Sequence, residues 1–452
     1  VKRPETLDAL RLAAARILLD WRKGVDAADR LVASFEADRE DRGRPLDLPQ
    51  RRRLRELVFS CVRLRGRYDH LIEALSRRPC ADRVRVSLWL GLHELLELST
   101  PDHAAVSQSV ALVRRLGMEH AAGFVNSLLR RVAREGPDAF FPRREVDPLG
   151  WASTWLSHPR WMVERWMRRW TVEEVLALCA ANNRRPPVVV RCVPGRRDEV
   201  LAAARRREWE LQESELAPDG VVVRSPVPPS VVLRELPGAA AVQDEAAQLV
   251  APLLAGAGSG IRRMIDLCAA PGGKSLHLAD LLPETPLVAA DRSPERLDRL
   301  RSLLDRRGTA RWGLVVADGI HPPFTAAGFD GVLLDAPCTG TGVLARRHEA
   351  RWRRRLEDLE ELPRRQRELL HSAVDLCAVG GIIVYSTCSL EPEENDEVVD
   401  EVLRERNDLV ELTVEGRVDP RVIDGRRLRV MPHRHGTDGA FAAVLSRREI
   451  PS

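Results

Sequence analysis

Two short stretches carry residue types and spacings suited to chemistry. One is Asp266-Leu267-Cys268-Ala269-Ala270-Pro271-Gly272-Gly273-Lys274-Ser275, and the other is Tyr385-Ser386-Thr387-Cys388-Ser389. Each follows a short apolar run that reads as a buried strand, Met264 to Leu267 and Gly381 to Val384, and each runs on into a helical pattern. Ligands of open parallel sheets lie outside the carboxyl ends of the strands. A glycine loop and a cysteine therefore share one crevice, as a cofactor cradle beside a nucleophile.

The glycine loop ends like a P-loop in Gly273-Lys274-Ser275, but a P-loop has glycine where Cys268 stands. No G-x-G-x-x-G follows a strand. What remains is a tight strand-to-helix turn whose backbone can approach a ligand closely. An acid closes each of the next three strand patterns: Asp291, Asp318 and Asp335. Asp291 lies 25 residues beyond Asp266, close to the ~20-residue spacing at which an acid meets ribose hydroxyls. A single strand-end aspartate is as readily a helix N-cap. Three in successive βα units behind this loop favour a nucleotide-like ligand.

Of the 71 basic residues only Lys2, Lys23 and Lys274 are lysines. In so arginine-biased a chain, a lysine inside the glycine loop points to a need for the ammonium itself. The eight cysteines form no C-x-x-C pair, so neither a zinc site nor any other metal centre is expected, and most thiols read as small core residues. Cys338 and Cys388 differ, because each follows a strand end. Pro392-Glu393-Glu394-Asn395 reads as a helix start behind Cys388, and a nearby helix N-terminus favours a thiolate.

The elements that position these residues fall into three regions, expected at 1–135, 136–240 and 241–452. The first is helical throughout, with apolar stripes such as Leu7, Leu10, Ala14, Ile17 and Leu18, then Leu54 to Phe59, Val86 to Leu92, and Gly123 to Arg131. Pro101-Asp102 marks a helix start within it. The second opens on Gly136-Pro137 and Asp147-Pro148 and carries Trp151, Trp155, Trp161, Trp166 and Trp170 among arginines. Such rings can stack on bases, but a helix burying them against a core is the favoured reading. It continues as a small α/β module with a strand at Val188 to Arg191. The third is an α/β sheet domain ending in strands at Val430 and at Phe441 to Leu445.

With 44% apolar and 31% charged residues the chain reads as globular, and no run approaches the ~18 apolar residues of a membrane span. Val1-Lys2-Arg3-Pro4-Glu5 is charged, and a cytoplasmic monomer without membrane contact is expected. The net charge of +4 is modest, but nine arginines against five acids between Arg346 and Arg367 hold an equal excess. With Arg51-Arg52-Arg53 and Arg205-Arg206-Arg207 they suit a phosphate track.

The glycine loop, Asp335-Ala336-Pro337-Cys338-Thr339-Gly340-Thr341-Gly342 and Tyr385-Ser386-Thr387-Cys388-Ser389 together resemble the motifs of the S-adenosylmethionine-dependent RNA cytosine-5-methyltransferases. Glu56-Leu57-Val58-Phe59, Pro101-Asp102-His103-Ala104-Ala105-Val106 and Phe124-Val125-Asn126 resemble the NusB-like RNA-binding domain. The whole is similar to bacterial 16S ribosomal RNA methyltransferases of the Sun (RsmB, Fmu) type. The resemblance implies an all-α NusB-like bundle, a small α/β RNA-binding module and a Rossmann-like class I methyltransferase domain. It implies S-adenosylmethionine as cofactor and RNA as partner. It assigns attack to Cys388, release of the adduct to Cys338, and the cytosine edge to Asp335, which is also placed to touch the cofactor. Cys268, Ala269, Ala270, Pro271, Gly272, Gly273 and Lys274 would wrap the methionine part, with Asp291 on the ribose and Asp318 on the adenine.

Two departures stand out. Family members carry Arg-Arg-His-Pro-Asp-Ile-Lys-Trp where this chain has Arg346-Arg347-His348-Glu349-Ala350-Arg351-Trp352, one residue shorter, and Asp-Gly-Phe-Phe where it has Asp438-Gly439-Ala440-Phe441. Both bear on which base is taken more than on the reaction. A different RNA, such as transfer RNA, and an inactive RNA-binding protein are the rival readings. Intact cysteines and strand-end acids weigh against the second.

Overall fold

The computed structural model describes residues 8–449 except 77, 99, 226, 228, 237, 257–259, 309 and 310. Lys2 and Leu7 lie outside the described residues. The chain divides into two compact units, Val1–Asn183 with Arg351–Arg353, and Arg184–Ala350 with Arg354–Ser452.

The first unit is helical, with no strand among its described residues. Its long helices are Ala9–Arg22, Ala28–Asp41, Leu48–Arg63, Arg65–Leu75, Asp82–Leu96, Asp102–Arg115 and Ala122–Glu135. Leu48–Arg63 shows why they form. Asp47 accepts the Gln50 backbone N–H (2.8 Å) and the Gln50 side chain accepts that of Asp47 (3.1 Å), satisfying two donors that the first turn leaves open. Leu54, Leu57, Val58, Cys61 and Val62 then fall on one face, and all are buried. Trp89 lies at the centre of the core, fully buried, and its indole N–H donates to Asp69 (2.9 Å).

The tryptophan-rich stretch forms two short helices, Pro148–Thr154 and Arg160–Met167, rather than one amphipathic helix. Pro159 separates them. Trp166 is fully buried, while Trp155 packs edge-on to Phe141 at 5.0 Å and lies under the Arg67 guanidinium at 4.0 Å.

The second unit opens with an antiparallel sheet of β1 (Val188–Cys192), β2 (Leu211–Glu213), β3 (Gly220–Val223) and β4 (Ala240–Val242), in the order β2-β3-β1-β4. Strands β5 (Met264–Asp266), β6 (Leu287–Asp291), β7 (Trp312–Val316), β8 (Phe329–Asp335) and β9 (Cys377–Thr387) then form the parallel part of a larger sheet. Antiparallel additions are β10 (Leu409–Leu412), β11 (Ile423–Asp424), β12 (Arg427–Val430) and β13 (Ala440–Arg447). The order is β11-β12-β13-β9-β8-β5-β6-β7, with β10 beside β13. The chain moves outward from β5 through β6 to β7, then returns to β8 on the other side of β5. Between β5 and β8 the winding reverses, and there an open α/β sheet leaves its crevice.

Two elements differ from expectation. Strand β9 begins at Cys377, not Gly381, and the residues between Cys377 and Ile382 run through a pairing irregularity against β8. Gly381 passes close to that strand: a Cβ there would sit 2.9 Å from the Asp330 carbonyl. The helix expected from Pro392 is a single 3-10 turn, Pro392–Glu394, and the α-helix itself runs Asp396–Glu405.

A buried ionic cluster ties the β1–β4 module to the larger sheet's helices. Arg191 on β1 has its Nη2 2.8 Å from Asp280, Arg307 has its Nε 3.2 Å from the same carboxylate, and Arg191 Nε donates to Gln243 (2.8 Å). Arg191 is fully buried. No helix among the described residues is long and apolar enough to cross a membrane.

Candidate active site

The crevice residues are carried by the ends of β5, β6, β8 and β9. After β5 the chain turns at Gly272, whose φ of 107° is open to glycine but strained for other residues, and enters the helix Gly273–Leu281. A Cβ on Gly272 would also sit 2.4 Å from a Leu300 methyl. Asp266, ending β5, is buried and accepts the Ser275 hydroxyl (2.6 Å). Burial pushes its carboxyl up to about 7, and the Ser275 hydrogen bond only partly opposes this. Burial, reinforced by nearby acids, likewise pushes the Cys268 thiol well up, so it is neutral.

Asp291, ending β6, accepts the Ala270 N–H (3.1 Å) and the Ser293 N–H (2.9 Å). It thereby fixes the glycine loop. With one backbone donor on each oxygen, a carboxylate still has acceptor sites to spare. Arg296 donates to the Ala270 carbonyl from the other side. Asp318 lies two residues past β7; its side chain is exposed, accepts the Ile320 N–H (3.2 Å) and is 3.8 Å from Arg365.

Asp335, ending β8, binds two neighbours. Lys274 Nζ donates to its Oδ2 (2.7 Å) and Ser386 Oγ to its Oδ1 (2.9 Å). Burial works against the Lys274 charge, but the Asp335 carboxylate and its hydrogen bond outweigh it and raise the ammonium pKa. The lysine is therefore a fixed cation in the crevice.

Cys338 lies three residues past Asp335, and Cys388 directly follows β9. Their sulfurs are 3.2 Å apart, within hydrogen-bond reach for thiols and far beyond the ~2.05 Å of a disulfide. Their surroundings differ. A hydrogen bond from Cys338 lowers the Cys388 pKa, with Lys274 and Arg347 adding positive charge and with burial and Asp335 opposing. That same hydrogen bond, burial, the charge of Cys388 and then that of Glu394 raise Cys338. These influences favour the thiolate at Cys388 over Cys338.

The structure thus joins Lys274 to Asp335 and Cys338 to Cys388 at neighbouring strand ends, with Cys268 in the glycine loop, Asp291 bonded to that loop and Asp318 exposed beyond β7. Cys61, Cys179, Cys192 and Cys377 are buried. Further residues hold the two cysteine turns. Arg354 donates to the Cys338 (3.0 Å) and Thr339 (2.8 Å) carbonyls, and Gln366 to the Pro337 carbonyl (2.8 Å). Gly439 approaches the crevice closely, its N–H donating to the Gly342 carbonyl (2.7 Å), while Gly342 N–H donates to the Cys388 carbonyl (2.9 Å). Gln366 has no signal in the sequence, whereas Ser386 has one. It lies two residues before Cys388, and the pairing of β8 with β9 sets it opposite Asp335.

Family models agree with this layout. One described as 16S rRNA methyltransferase RsmB/F matches residues 259–446, NusB family matches 8–134, and Methyltr_RsmF/B-like, ferredoxin-like domain matches 158–230. Ribosomal RNA small subunit methyltransferase B of Pseudomonas syringae pv. tomato is 34% identical over 455 residues, 96% of this chain and 96% of the relative. This chain belongs to the RsmB/F family of RNA methyltransferases. A further RsmB/F relative, ribosomal RNA small subunit methyltransferase B of Pseudomonas putida, is 34% identical over 96% of this chain and 98% of its own length. Among solved structures, PH0851 has the same fold, with a TM-score of 0.78 and 24% identity over 98% of this chain and 100% of that one. The RsmB/F architecture of helical NusB domain, ferredoxin-like middle and methyltransferase sheet is that expected from the sequence.

Proposed function

We propose that the chain transfers a methyl group from S-adenosylmethionine to carbon-5 of a cytosine in 16S ribosomal RNA, through a covalent bond between Cys388 and the base. The observation that carries this reading is the pair of unlike thiols, 3.2 Å apart, beside the Lys274–Asp335 ion pair of the glycine loop.

The residues around the glycine loop suit this cofactor. Its backbone can close on an amino-acid moiety, Asp291 keeps acceptor sites for ribose hydroxyls, and Asp318 offers an acceptor to an adenine amino group. S-adenosylmethionine supplies an electrophilic methyl group. The chain must supply the rest, because carbon-5 of cytosine is a poor nucleophile. The Cys388 thiolate adds to carbon-6, and the ring electron pair moves to make carbon-5 nucleophilic. Addition leaves negative charge on the ring nitrogen, which takes a proton from solvent, and the Asp335 carboxylate accepts from that N–H and from the amino group. After methylation a water molecule takes the carbon-5 proton, and expulsion of the Cys388 thiolate restores the ring. Cys338, next to that sulfur, assists this release. The base must be flipped out or presented unpaired to enter the crevice.

The test is bisulfite sequencing of ribosomal and transfer RNA from cells with and without the gene. A protected cytosine in 16S RNA that becomes convertible on deletion supports the assignment. Loss of protection in transfer RNA alone moves the substrate, and no change in either RNA overturns the activity.

A further inference from the structure

The two cysteine turns meet at a carboxylate that the methyl-transfer scheme leaves without a task. Glu394 is fully buried. Its Oε1 accepts the Thr339 backbone N–H (2.8 Å) and Gln366 Nε2 (3.0 Å), and its Oε2 accepts the hydroxyls of Thr339 and Ser389. Thr339 directly follows Cys338 and Ser389 directly follows Cys388. One carboxylate therefore grips both cysteine turns. Gln366 also reaches the Pro337 carbonyl, and Tyr385 donates to the backbone carbonyl of Glu394 (2.6 Å), so its own position is fixed.

Four groups converge on this side chain: two N–H donors on Oε1 and two hydroxyls on Oε2, a set that an ionised carboxylate accepts in full. Burial raises the Glu394 pKa above the usual carboxylate value, and the hydrogen bonds of Ser389, Thr339 and Gln366 only partly oppose it. Lys274 and Arg347 favour a thiolate at Cys388 and Asp335 opposes it, while the charge of Glu394 opposes one at Cys338. Tyr385 is neutral, since burial raises its pKa well above the usual value. Arg354 binds the carbonyls beyond Cys338 rather than the sulfur.

We propose that Glu394 is a positioning residue that assigns the two cysteines their roles: as a buried anion it keeps the shared proton on Cys338 and leaves Cys388 as the thiolate. This rests on the reading of Cys388 as nucleophile, but it explains what makes that cysteine, and not its neighbour, the reactive one.

The experiment is alkylation of the full-length protein with limiting iodoacetamide across pH, with the label at each cysteine read by peptide mass spectrometry. Wild type should label Cys388 well ahead of Cys338 at neutral pH. Glu394→Gln should bring the two closer by roughly tenfold, the effect of one pKa unit between two thiols. Glu394→Asp keeps the charge on a shorter arm and should retain most of the preference, whatever its melting temperature. A purely packing role predicts that Asp and Gln lose the preference alike, and that result would overturn the proposal. So would wild-type labelling in Glu394→Gln. The underlying reading fails separately: it falls if wild type forms no adduct with 5-fluorocytosine RNA, whatever the labelling shows.

Discussion

The ammonium of Lys274 donates a 2.7 Å hydrogen bond to Asp335, joining the glycine loop after β5 to the end of β8 across the reversal of the sheet. Three consequences follow from this cation. It fixes Asp335, leaves Ser386 to satisfy the other oxygen, and adds positive charge beside Cys388. Lys274→Met should keep the fold, lower turnover on RNA by ~10²-fold or more, and raise the pH at which Cys388 is alkylated. Lys274→Arg keeps the charge but not the point geometry of an ammonium and should fall between the two. Wild-type turnover in Lys274→Met would show that the ion pair has no part in the chemistry.

Asp438 gives a pH signature. It shares Arg346 with Asp244, at 2.9 Å and 2.7 Å. Burial and the Asp244 charge raise its carboxyl to about 7, against the pull of Arg346. An unfolded aspartate ionises near 3.9. Between ~3.9 and about 7 the folded chain keeps a proton that the unfolded chain has released, so this group's stabilising contribution, full below ~3.9, is lost as pH rises to about 7. The slope from one proton is at most ~1.4 kcal/mol per pH unit. Asp438→Asn should flatten the dependence of melting temperature on pH in this window and gain stability relative to wild type at pH ~8. An unchanged profile would place the proton elsewhere.

Asp280 pairs with both Arg191 and Arg307, and all three side chains are nearly or fully buried. Burial, then the charge of Arg191, holds His277 well below its usual pKa, so it adds no charge. Asp280→Ala strands two guanidinium groups in the interior and should destabilise the second unit by ~3–5 kcal/mol. Replacing Arg191, Arg307 and Asp280 together by apolar residues of similar volume should cost far less. Thermal unfolding of the three proteins checks this, and equal melting of Asp280→Ala and wild type would contradict it.

What could be read in the chain, and what could not, follows from how far each signal reaches. Leu54, Leu57, Val58, Cys61 and Val62 announce their helix because one face repeats within a few residues. Asp291 and Asp335 are legible because short apolar runs end on them, and the Gly272-Gly273 turn because its backbone demands glycine. The Gly380-Gly381 stretch misleads, since its place in β9 depends on pairing with β8. Glu394, Gln366 and Arg354 are silent: nothing in their local sequence separates them from ordinary helix-surface residues. Their function exists only once β8 and β9 lie side by side and bring Thr339 and Ser389 to the same carboxylate. Pro392-Glu393-Glu394-Asn395 reads as a helix cap on local grounds, and its 3-10 turn is what aims Glu394 inward.

The two cysteines can be told apart by what each variant traps. With sulfurs 3.2 Å apart, either could reach carbon-6 of a base in the crevice, so proximity alone assigns nothing. The charges do: Lys274 and Arg347 favour thiolate at Cys388, and Glu394 disfavours it at Cys338. Cys388→Ala should abolish turnover and every covalent complex. Cys338→Ala should still attack but release slowly, so a protein–RNA adduct should accumulate on a denaturing gel with ordinary RNA. RNA with 5-fluorocytosine at the target cannot lose a proton from carbon-5. It should trap wild type and Cys338→Ala, but not Cys388→Ala. An adduct that survives loss of Cys388 and vanishes with Cys338 would exchange the roles. No adduct in any variant, on RNA shown to be bound, would exclude covalent catalysis by either thiol.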